Sequence, residues 1–341
     1  MKRLVPGLVI GALIVSASAV AAQDGGTLAA VQERGTLVCG VNGGLPGMSV
    51  LNEETNRFEG MDADYCRAVA VAVLGDADAV EYRPLTADQR AAAVQGGEVD
   101  VLFRNTTNRF DRDASWGDFG PTIFYDGQGV MAREDLGITT LEGLDGATIC
   151  VTSGTTTEQN LSDTFGFLGI AYEPVVAAEI DTVYGAYEEG RCDAVTSDRS
   201  QLSGRRSVLA NPDEHIIFGT VFTKEPLAPL TAHGDHQWTD IVAWTVNATI
   251  LAEELGVTSE NIGDHADSAH PEISRLLGQT GELASTHLGL SDTFAADVIA
   301  TVGNYGEIYD RGFGPDTAQN VERGLNALWT NGGLIFAPPY K

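Results

Sequence analysis

Between residues 37 and 103 the chain alternates short apolar runs with apolar positions at helical spacing. Leu37–Val41 is a continuous apolar run of strand length. Cys66, Val69, Ala70, Val73 and Leu74 then fall at i, i+3, i+4, i+7 and i+8, which is one face of a helix. Asp62 is placed to cap the start of that helix and Gly75 to end it. Val80–Arg83 reads as a second strand, Asp88 to Gln95 as a short helix stopped by Gly96 and Gly97, and Val99–Phe103 as a third strand. A β-α-β-α-β order of this kind predicts a parallel sheet covered by helices.

The same order returns after a break. Thr148–Val151, Tyr172–Val176 and Asp193–Thr196 read as strands, with helices over Thr156–Leu168 and Asp181–Glu189. The two units share a phrase: Gly97-Glu-Val-Asp100-Val-Leu enters the third strand of one, and Gly190-Arg-Cys-Asp193-Ala-Val that of the other. Both phrases put Gly at a helix stop and Asp at a strand start. Two α/β units with loops at their strand C-termini imply a cleft between them. After Phe222 the pattern is helix-rich, with helices expected over Trp238–Leu255, stopped by Gly256, and over Asn320–Trp329. Nothing there forms a third sheet, so this part is assigned to the first lobe. The expected division is residues 1–22 as a signal peptide, 25–130 plus 223–341 as lobe I, and 131–222 as lobe II. Two crossings follow, near Gly129–Ala132 and near Thr220–Lys224, making a two-stranded hinge that permits closure.

The N-terminus sets the compartment. Lys2 and Arg3 precede an apolar stretch from Leu4 to Val15, and Ser16 to Ala22 supplies small residues, the order of a secretory signal. The apolar stretch holds about a dozen residues, short of the roughly 20 needed to span a bilayer. Cleavage is expected after Ala21 or Ala22. The remaining chain, roughly 320 residues, exceeds the size at which one core keeps growing. A formal charge of −28 repels nucleic acid and anionic lipid, so no nucleic-acid partner is expected. Such acidity also suits a saline habitat. Four cysteines, Cys39, Cys66, Cys150 and Cys192, form an even set in an exported chain, which favours disulfides. Three connectivities are open; the local one, Cys39–Cys66 and Cys150–Cys192, keeps each pair within one lobe.

The loops after the strands carry chemistry suited to a free amino acid. A carboxylate wants a guanidinium and the N–H groups of a helix start, whereas an ammonium wants a carboxylate. After Val99–Phe103 comes a loop running from Arg104 to Arg112, with the Thr107 hydroxyl beside the latter. After Thr148–Val151 comes Ser153-Gly-Thr-Thr-Thr157-Glu158, whose N–H groups near Thr155–Thr157 make an anion seat. After Asp193–Thr196 comes Ser197-Asp198, a carboxylate at the third strand's end. Singly, an arginine is more often a surface charge, the threonine run an ordinary helix cap, and Asp198 a cap of the segment after it; joint placement favours a zwitterion site. His233-x-x-His236 has a metal-like spacing in an acidic loop of uncertain helicity, and no metal is expected there. Gly40–Gly47 lacks the Gly-Lys-Ser/Thr of a phosphate loop, and no Gly-x-Ser-x-Gly elbow occurs. No cofactor is expected.

A set of phrases resembles a known family. They include Gly60-Met-Asp-Ala-Asp-Tyr-Cys-Arg-Ala-Val, Pro84-Leu-Thr-Ala-Asp-Gln-Arg90, Val101-Leu-Phe-Arg-Asn-Thr-Thr107, Ser153-Gly-Thr-Thr-Thr-Glu158, Lys224-Glu-Pro-Leu-Ala-Pro and Gly303-Asn-Tyr-Gly-Glu-Ile-Tyr. Together they span essentially the whole mature chain and resemble the polar amino-acid substrate-binding proteins of bacterial ABC transporters (solute-binding protein family 3), in particular the general L-amino-acid-binding branch. The resemblance implies the periplasmic-binding-protein-like (type II) α/β fold, two doubly wound sheets joined by a two-stranded hinge. It implies that Arg112 clamps the ligand α-carboxylate with Thr107 and the Thr156 backbone. It also implies that Asp198 takes the ammonium, with help from Asn105, and that Asn42–Met48 walls the ligand. The wider family often has an acidic residue and an aromatic near Asn42 and Leu45. Their absence argues against a dedicated cationic-ligand pocket. Arg90 and Arg104 meet either an acidic or amide ligand side chain or structural salt bridges. The implied partners are an L-amino acid and membrane permease subunits, with the protein a periplasmic monomer and not an enzyme. The alternative is a periplasmic enzyme of the same fold, dehydratase-like, for which Asp198 is the evident acid or base.

Overall fold

The computed structural model describes residues 26–341, so the expected signal peptide and its cleavage point lie outside the described residues. Two five-stranded sheets dominate the structure. The first runs Val80–Pro84, Leu37–Val41, Val101–Leu102, Leu230–Thr231, Asp118–Phe119. The second runs Tyr172–Ala177, Ala147–Thr152, Ala194–Asp198, Gln128–Arg133, His215–Ile217. In each sheet the first three strands are parallel and the last two join antiparallel. The sheets are therefore mixed: in each, the strand that arrives across the hinge, Leu230–Thr231 or Gln128–Arg133, pairs antiparallel with both of its neighbours. A third small sheet, Gly44–Leu45, Ser49–Asn52 and Arg57–Glu59, follows the first strand; the sequence pattern did not foretell it.

The helix Met61–Leu74 packs its Cys66, Val69, Ala70 and Val73 into the core, and Gly75 ends it at φ 72° with its N–H on Val71 O. Its start departs from expectation. Gly60 is the cap residue at φ 113°, where a Cβ would sit 2.5 Å from the Met48 carbonyl oxygen. Asp62 lies inside the first turn instead, and its buried carboxylate accepts the N–H of Asn105 at 2.9 Å. The helix entry is set by a backbone approach that only glycine permits, which leaves Asp62 free for a distant loop.

The shared Gly/Asp phrase is one structural device used twice. Gly97 and Gly190 adopt φ 67° and 73°. Asp100 exchanges bonds with Val38, its N–H to Val38 O at 2.9 Å and its carboxylate from Val38 N at 2.7 Å. Asp193 does the same with Thr148, at 2.9 and 2.8 Å. Each aspartate pins the third strand of its unit to the first. Disulfides Cys39–Cys66 and Cys150–Cys192 then close loops of 27 and 42 residues, the first tying strand Leu37–Val41 to helix Met61–Leu74 and the second tying strand Ala147–Thr152 to the turn before Ala194–Asp198. Loops of that length contribute about 3–4 kcal/mol each in the chain-entropy account.

The lobes are joined by the antiparallel pair Phe124–Asp126 and Glu225–Leu227. The first crossing thus falls earlier than Gly129–Ala132, which is already a buried strand of the second sheet. The second falls just past Thr220–Lys224. The helix expected over Asn320–Trp329 does not form; only 3-10 turns at Gly324–Asn326 and Trp329–Asn331 occur there. Asn320 and Gly324 sit at positive φ, and the Arg323 guanidinium is held by Glu253 and by Asn326 O. This tail lies against the hinge: Asn326 exchanges bonds with the Tyr125 backbone at 2.6 and 3.2 Å, and Gln319 bonds Ser203 and Ser207 of the second lobe.

The cleft is shut. Arg205 Nη1 donates to Gly44 O at 2.9 Å, Ser153 Oγ to Asp88 at 2.9 Å, and Arg109 Nη1 to Gln159 Oε1 at 3.0 Å, all between lobes. Gly204, in the helix Arg199–Arg206, abuts Pro46; a Cβ there would meet Pro46 O at 2.4 Å. Alanine is a better helix former than glycine by about 1 kcal/mol, so Gly204→Ala should keep the melting temperature of the ligand-free protein or raise it, while obstructing closure. Small-angle scattering should show a larger radius of gyration in the presence of ligand, with weaker binding. An unchanged ligand-bound radius would refute this closed packing.

Candidate functional site

The C-terminal ends of the strands of both sheets face one cavity between the lobes. From the first lobe come Asn42, Arg90, Arg104, Asn105 and Thr107; from the second come Thr152, Thr155–Thr157, Ile180, Ser197, Asp198 and Gln201. Seven of the eight residues singled out from sequence therefore line it. The eighth, Arg112, is 1% exposed and lies beneath the Thr107 loop, donating from Nη1 to Thr107 O at 3.3 Å. Its Nε is buried with no partner.

The first-lobe loop is held from three sides. Asn105 takes the left-handed conformation at φ 34°, which asparagine tolerates better than most residues. Its N–H is fixed by Asp62, and its Oδ1 accepts from Asn42 Nδ2 and Arg104 Nη1, both at 3.1 Å. Thr106 O accepts from Ala228 N, and Asn108 N donates to Pro226 O, so the loop is zipped to the returning hinge strand. Thr107 Oγ1 donates to Glu225 Oε2 at 2.6 Å and lies 3.4 Å from Thr156 Oγ1 across the cleft.

On the opposite wall, Thr155 caps the helix Thr156–Leu168. Its Oγ1 accepts from Glu158 N at 3.0 Å, and the Glu158 carboxylate in turn accepts from Gly154 N at 2.9 Å. The next N–H groups of that helix have no intrahelical acceptor, so the first turn presents positive dipole to the cavity. Asp198 ends its strand and stands at the start of the helix Arg199–Arg206, yet makes no cap hydrogen bond. It is 5% exposed, and its Oδ1 is buried without a partner.

Arg90 and Arg104 line this cavity and Arg112 lies beneath it, and none of the three forms a salt bridge with a carboxylate among the described residues. Arg90 has neutral partners only: Ala87 O from Nε at 2.9 Å, Thr106 Oγ1 from Nη1 at 3.4 Å, and Gly154 O across the cleft from Nη2 at 3.2 Å. Arg90 and Arg112 both lie against the Trp116 ring, at 5.5 and 4.7 Å from its centroid. Burial pushes Arg90 well below the usual arginine range, and the charges of Arg104 and Arg112 push it further. Burial takes Arg104 and Arg112 down to about 10. Asp198 is driven the other way, well above the carboxylate range, by burial and then by Asp126 and Glu225; Arg90 and Arg112 offset part of this. The site thus sets a buried carboxyl without a hydrogen-bond partner on one lobe against buried guanidiniums without a carboxylate partner on the other.

Sequence reasoning missed four contributors. Glu225 on the returning hinge strand joins both lobes, accepting from Thr107 and from Asn160 Nδ2 at 2.8 Å. Trp116 carries two arginines, Gln128 ties Thr157 O to Thr196, and Gln201 lines the cavity. A usable signal existed only for Glu225, a carboxylate wedged before Pro226 at the return crossing.

Two α/β lobes on a two-stranded hinge, closed over a polar cavity at the strand ends, define a solute-binding protein of the periplasmic-binding-protein type II fold. The chain belongs to the bacterial extracellular solute-binding proteins, family 3, which it matches over residues 37–260. It is 46% identical over the full length of both chains to the general L-amino acid-binding periplasmic protein AapJ of Rhizobium johnstonii. It is 43% identical to the glutamate/glutamine/aspartate/asparagine-binding protein BztA of Rhodobacter capsulatus, covering 97% of this chain and 98% of that one. Among solved structures, a periplasmic binding protein from Brucella ovis with glutathione bound is 45% identical, with a TM-score of 0.90, covering 93% of this chain and 99% of that one.

Asp62 offers a test of the buried charge beneath the loop. Burial raises its carboxyl from 3.8 to about 6, against the Asn105 N–H and Arg104. A raised acid binds more protons folded than unfolded, so its stabilisation is present below the unfolded value and is lost as pH rises through about 6. Asp62→Asn should therefore gain stability relative to the parent protein between pH 5 and 8, and none below pH about 4. Melting curves across that range should show this; a pH-independent difference would rule it out.

Proposed function

We propose that this protein is the periplasmic ligand-capturing component of an ABC uptake system, binding the zwitterion of an L-amino acid between its lobes. One observation carries the reading: a buried carboxylate oxygen without a partner and a helix start share one wall and face buried guanidiniums with no carboxylate partner on the other. A free amino acid is the small solute that supplies both complements at once. Its ammonium meets Asp198, and its carboxylate meets Arg112, the Thr107 hydroxyl and the N–H groups at Thr156. Arg90, which lines the cavity beside Trp116, adds positive charge. Either ligand group alone would leave a buried charge uncompensated, which is costly.

The names of the relatives support the amino-acid class, since AapJ and BztA are both named for amino acids. Capture requires no bond-making step. The ligand settles against one lobe, the hinge at Phe124–Asp126 and Glu225–Leu227 bends, and the closed form is what the membrane permease reads. In this account lobe I comprises the chain up to the hinge strand Phe124–Asp126 together with the chain from Glu225 onward, lobe II the part between, and the exported chain, cut after Ala21 or Ala22, works as a monomer.

Arginine replaced by lysine loses the two-pronged geometry that carboxylates favour. Losing one partner of a buried charged pair typically costs 2–5 kcal/mol. Arg112→Lys and Asp198→Asn should each weaken L-amino-acid binding by about 30-fold or more. Isothermal titration would measure this in variants whose melting transitions remain cooperative. Full affinity in either variant would sink the site assignment. Chemical alteration of the ligand on long incubation would favour the enzyme alternative.

A further inference from the structure

Arg104 is the one cavity cation that the common amino-acid frame leaves unused. It is 6% exposed and lines the ligand cavity. It also borders an adjoining opening whose wall includes Leu85, Gln89, Glu179 and Ile180. Its guanidinium donates to Leu85 O from Nε and to Asn105 Oδ1 from Nη1, both at 3.1 Å. Nη2 has no protein acceptor among the described residues. Asp62, Asp198 and Glu179 act on it only through space. Arg90 differs in having an acceptor at every nitrogen. A buried guanidinium with one edge open toward a cavity is built to receive an oxygen that arrives with the ligand.

We propose that Arg104 is the specificity-determining residue of this site, selecting amino acids whose side chains end in a carboxylate or carboxamide and disfavouring cationic ones. This rests on the reading of the cleft as an amino-acid site. The open edge of Arg104 donates to the terminal side-chain oxygen. Asn42, whose Nδ2 already holds Asn105 Oδ1, stands on the same border between the two spaces. Its Oδ1 has only a long contact, 3.4 Å from Gly44 N, and so can accept from the NH2 of an amide. The donor edge thus serves acid and amide alike, the acceptor serves the amide's NH2, and the repulsion of like charges turns lysine and arginine away. Asp62 is a positioning residue: it fixes the Asn105 backbone, and Asn105 Oδ1 in turn orients both Arg104 and Asn42.

The test is isothermal titration of the full mature chain and its Arg104→Met and Arg104→Lys variants with L-glutamate, L-glutamine, L-leucine and L-arginine. Sites built to bond a polar ligand group strongly reject analogues lacking it, so the parent protein should favour glutamate and glutamine over leucine by about 100-fold or more. In Arg104→Met that preference should collapse to within about tenfold, and binding of L-arginine should strengthen. Arg104→Lys keeps charge with one compact donor, and its preference should lie between the two; it also serves if the methionine variant fails to fold. Unchanged selectivity in either folded variant overturns the proposal while leaving amino-acid binding intact. A parent protein that binds none of the four overturns the underlying reading.

Discussion

Charge removed from water on both walls of one cleft is the constraint to which the rest of the molecule answers. Asp198 cannot be ionised cheaply where it lies, and the three arginines opposite are depressed by the same burial. Placed in a hydrophobic core, such groups would be ruinous. At the mouths of two sheets they are kept apart by a cavity, and what joins them must come from outside. The α/β architecture supplies this placement cheaply, because parallel strands deliver their C-terminal loops to a common edge. Two sheets facing each other then offer donors from one side and an acceptor from the other.

Holding charges ready demands walls that do not relax around them. The frame beneath the cavity is accordingly pinned at matching points in both lobes. Asp100 and Asp193 lock third strand to first, and a disulfide ties that first strand to the adjacent helix in one lobe and to the turn entering the third strand in the other. The first-lobe loop, Arg104 to Thr107, hangs between Asp62 below and the hinge strand alongside. Preorganisation of this kind lowers what binding loses to ordering side chains. It also explains why buried polar residues cluster at the strand ends while the sheets themselves are packed with valine, leucine and alanine.

The frame was largely legible in the sequence because it is periodic. Strand Leu37–Val41 and helix Thr156–Leu168 fall where the pattern put them, since apolar spacing reports burial directly. The cavity lining was legible for a second reason: its residues follow strand ends, and strand ends were visible. What escaped was set by contacts between distant positions. Glu225 and Thr107 are 118 residues apart and meet only through the hinge. Asp62 read as a helix cap until Gly60 took that place against Met48. The tail after Asn320 has a helical composition, but docking on Tyr125 and the Arg323–Glu253 pair hold it in turns. In each case a tertiary partner overrode a local preference, and no local pattern encodes such a partner.

Glu225 shows how ligand charge and hinge geometry are joined. It lies in register with Asp126 across the two hinge strands, and both acids raise Asp198. Asp126 is itself pushed up to about 6 by burial. Closing the empty cleft therefore gathers three carboxyls around a hinge with no cation in contact with Asp198. An arriving ammonium reverses that sign locally, since it favours the ionised carboxylate it approaches. The same residue, Glu225, holds Thr107 of one lobe and Asn160 of the other. An uncharged or anionic solute that fitted the cavity by shape would still leave Asp198 opposed by Asp126 and Glu225. In this reading, closure discriminates by charge before it discriminates by side chain: the hinge acids demand the ammonium, and only then does Arg104 examine what the α-carbon carries.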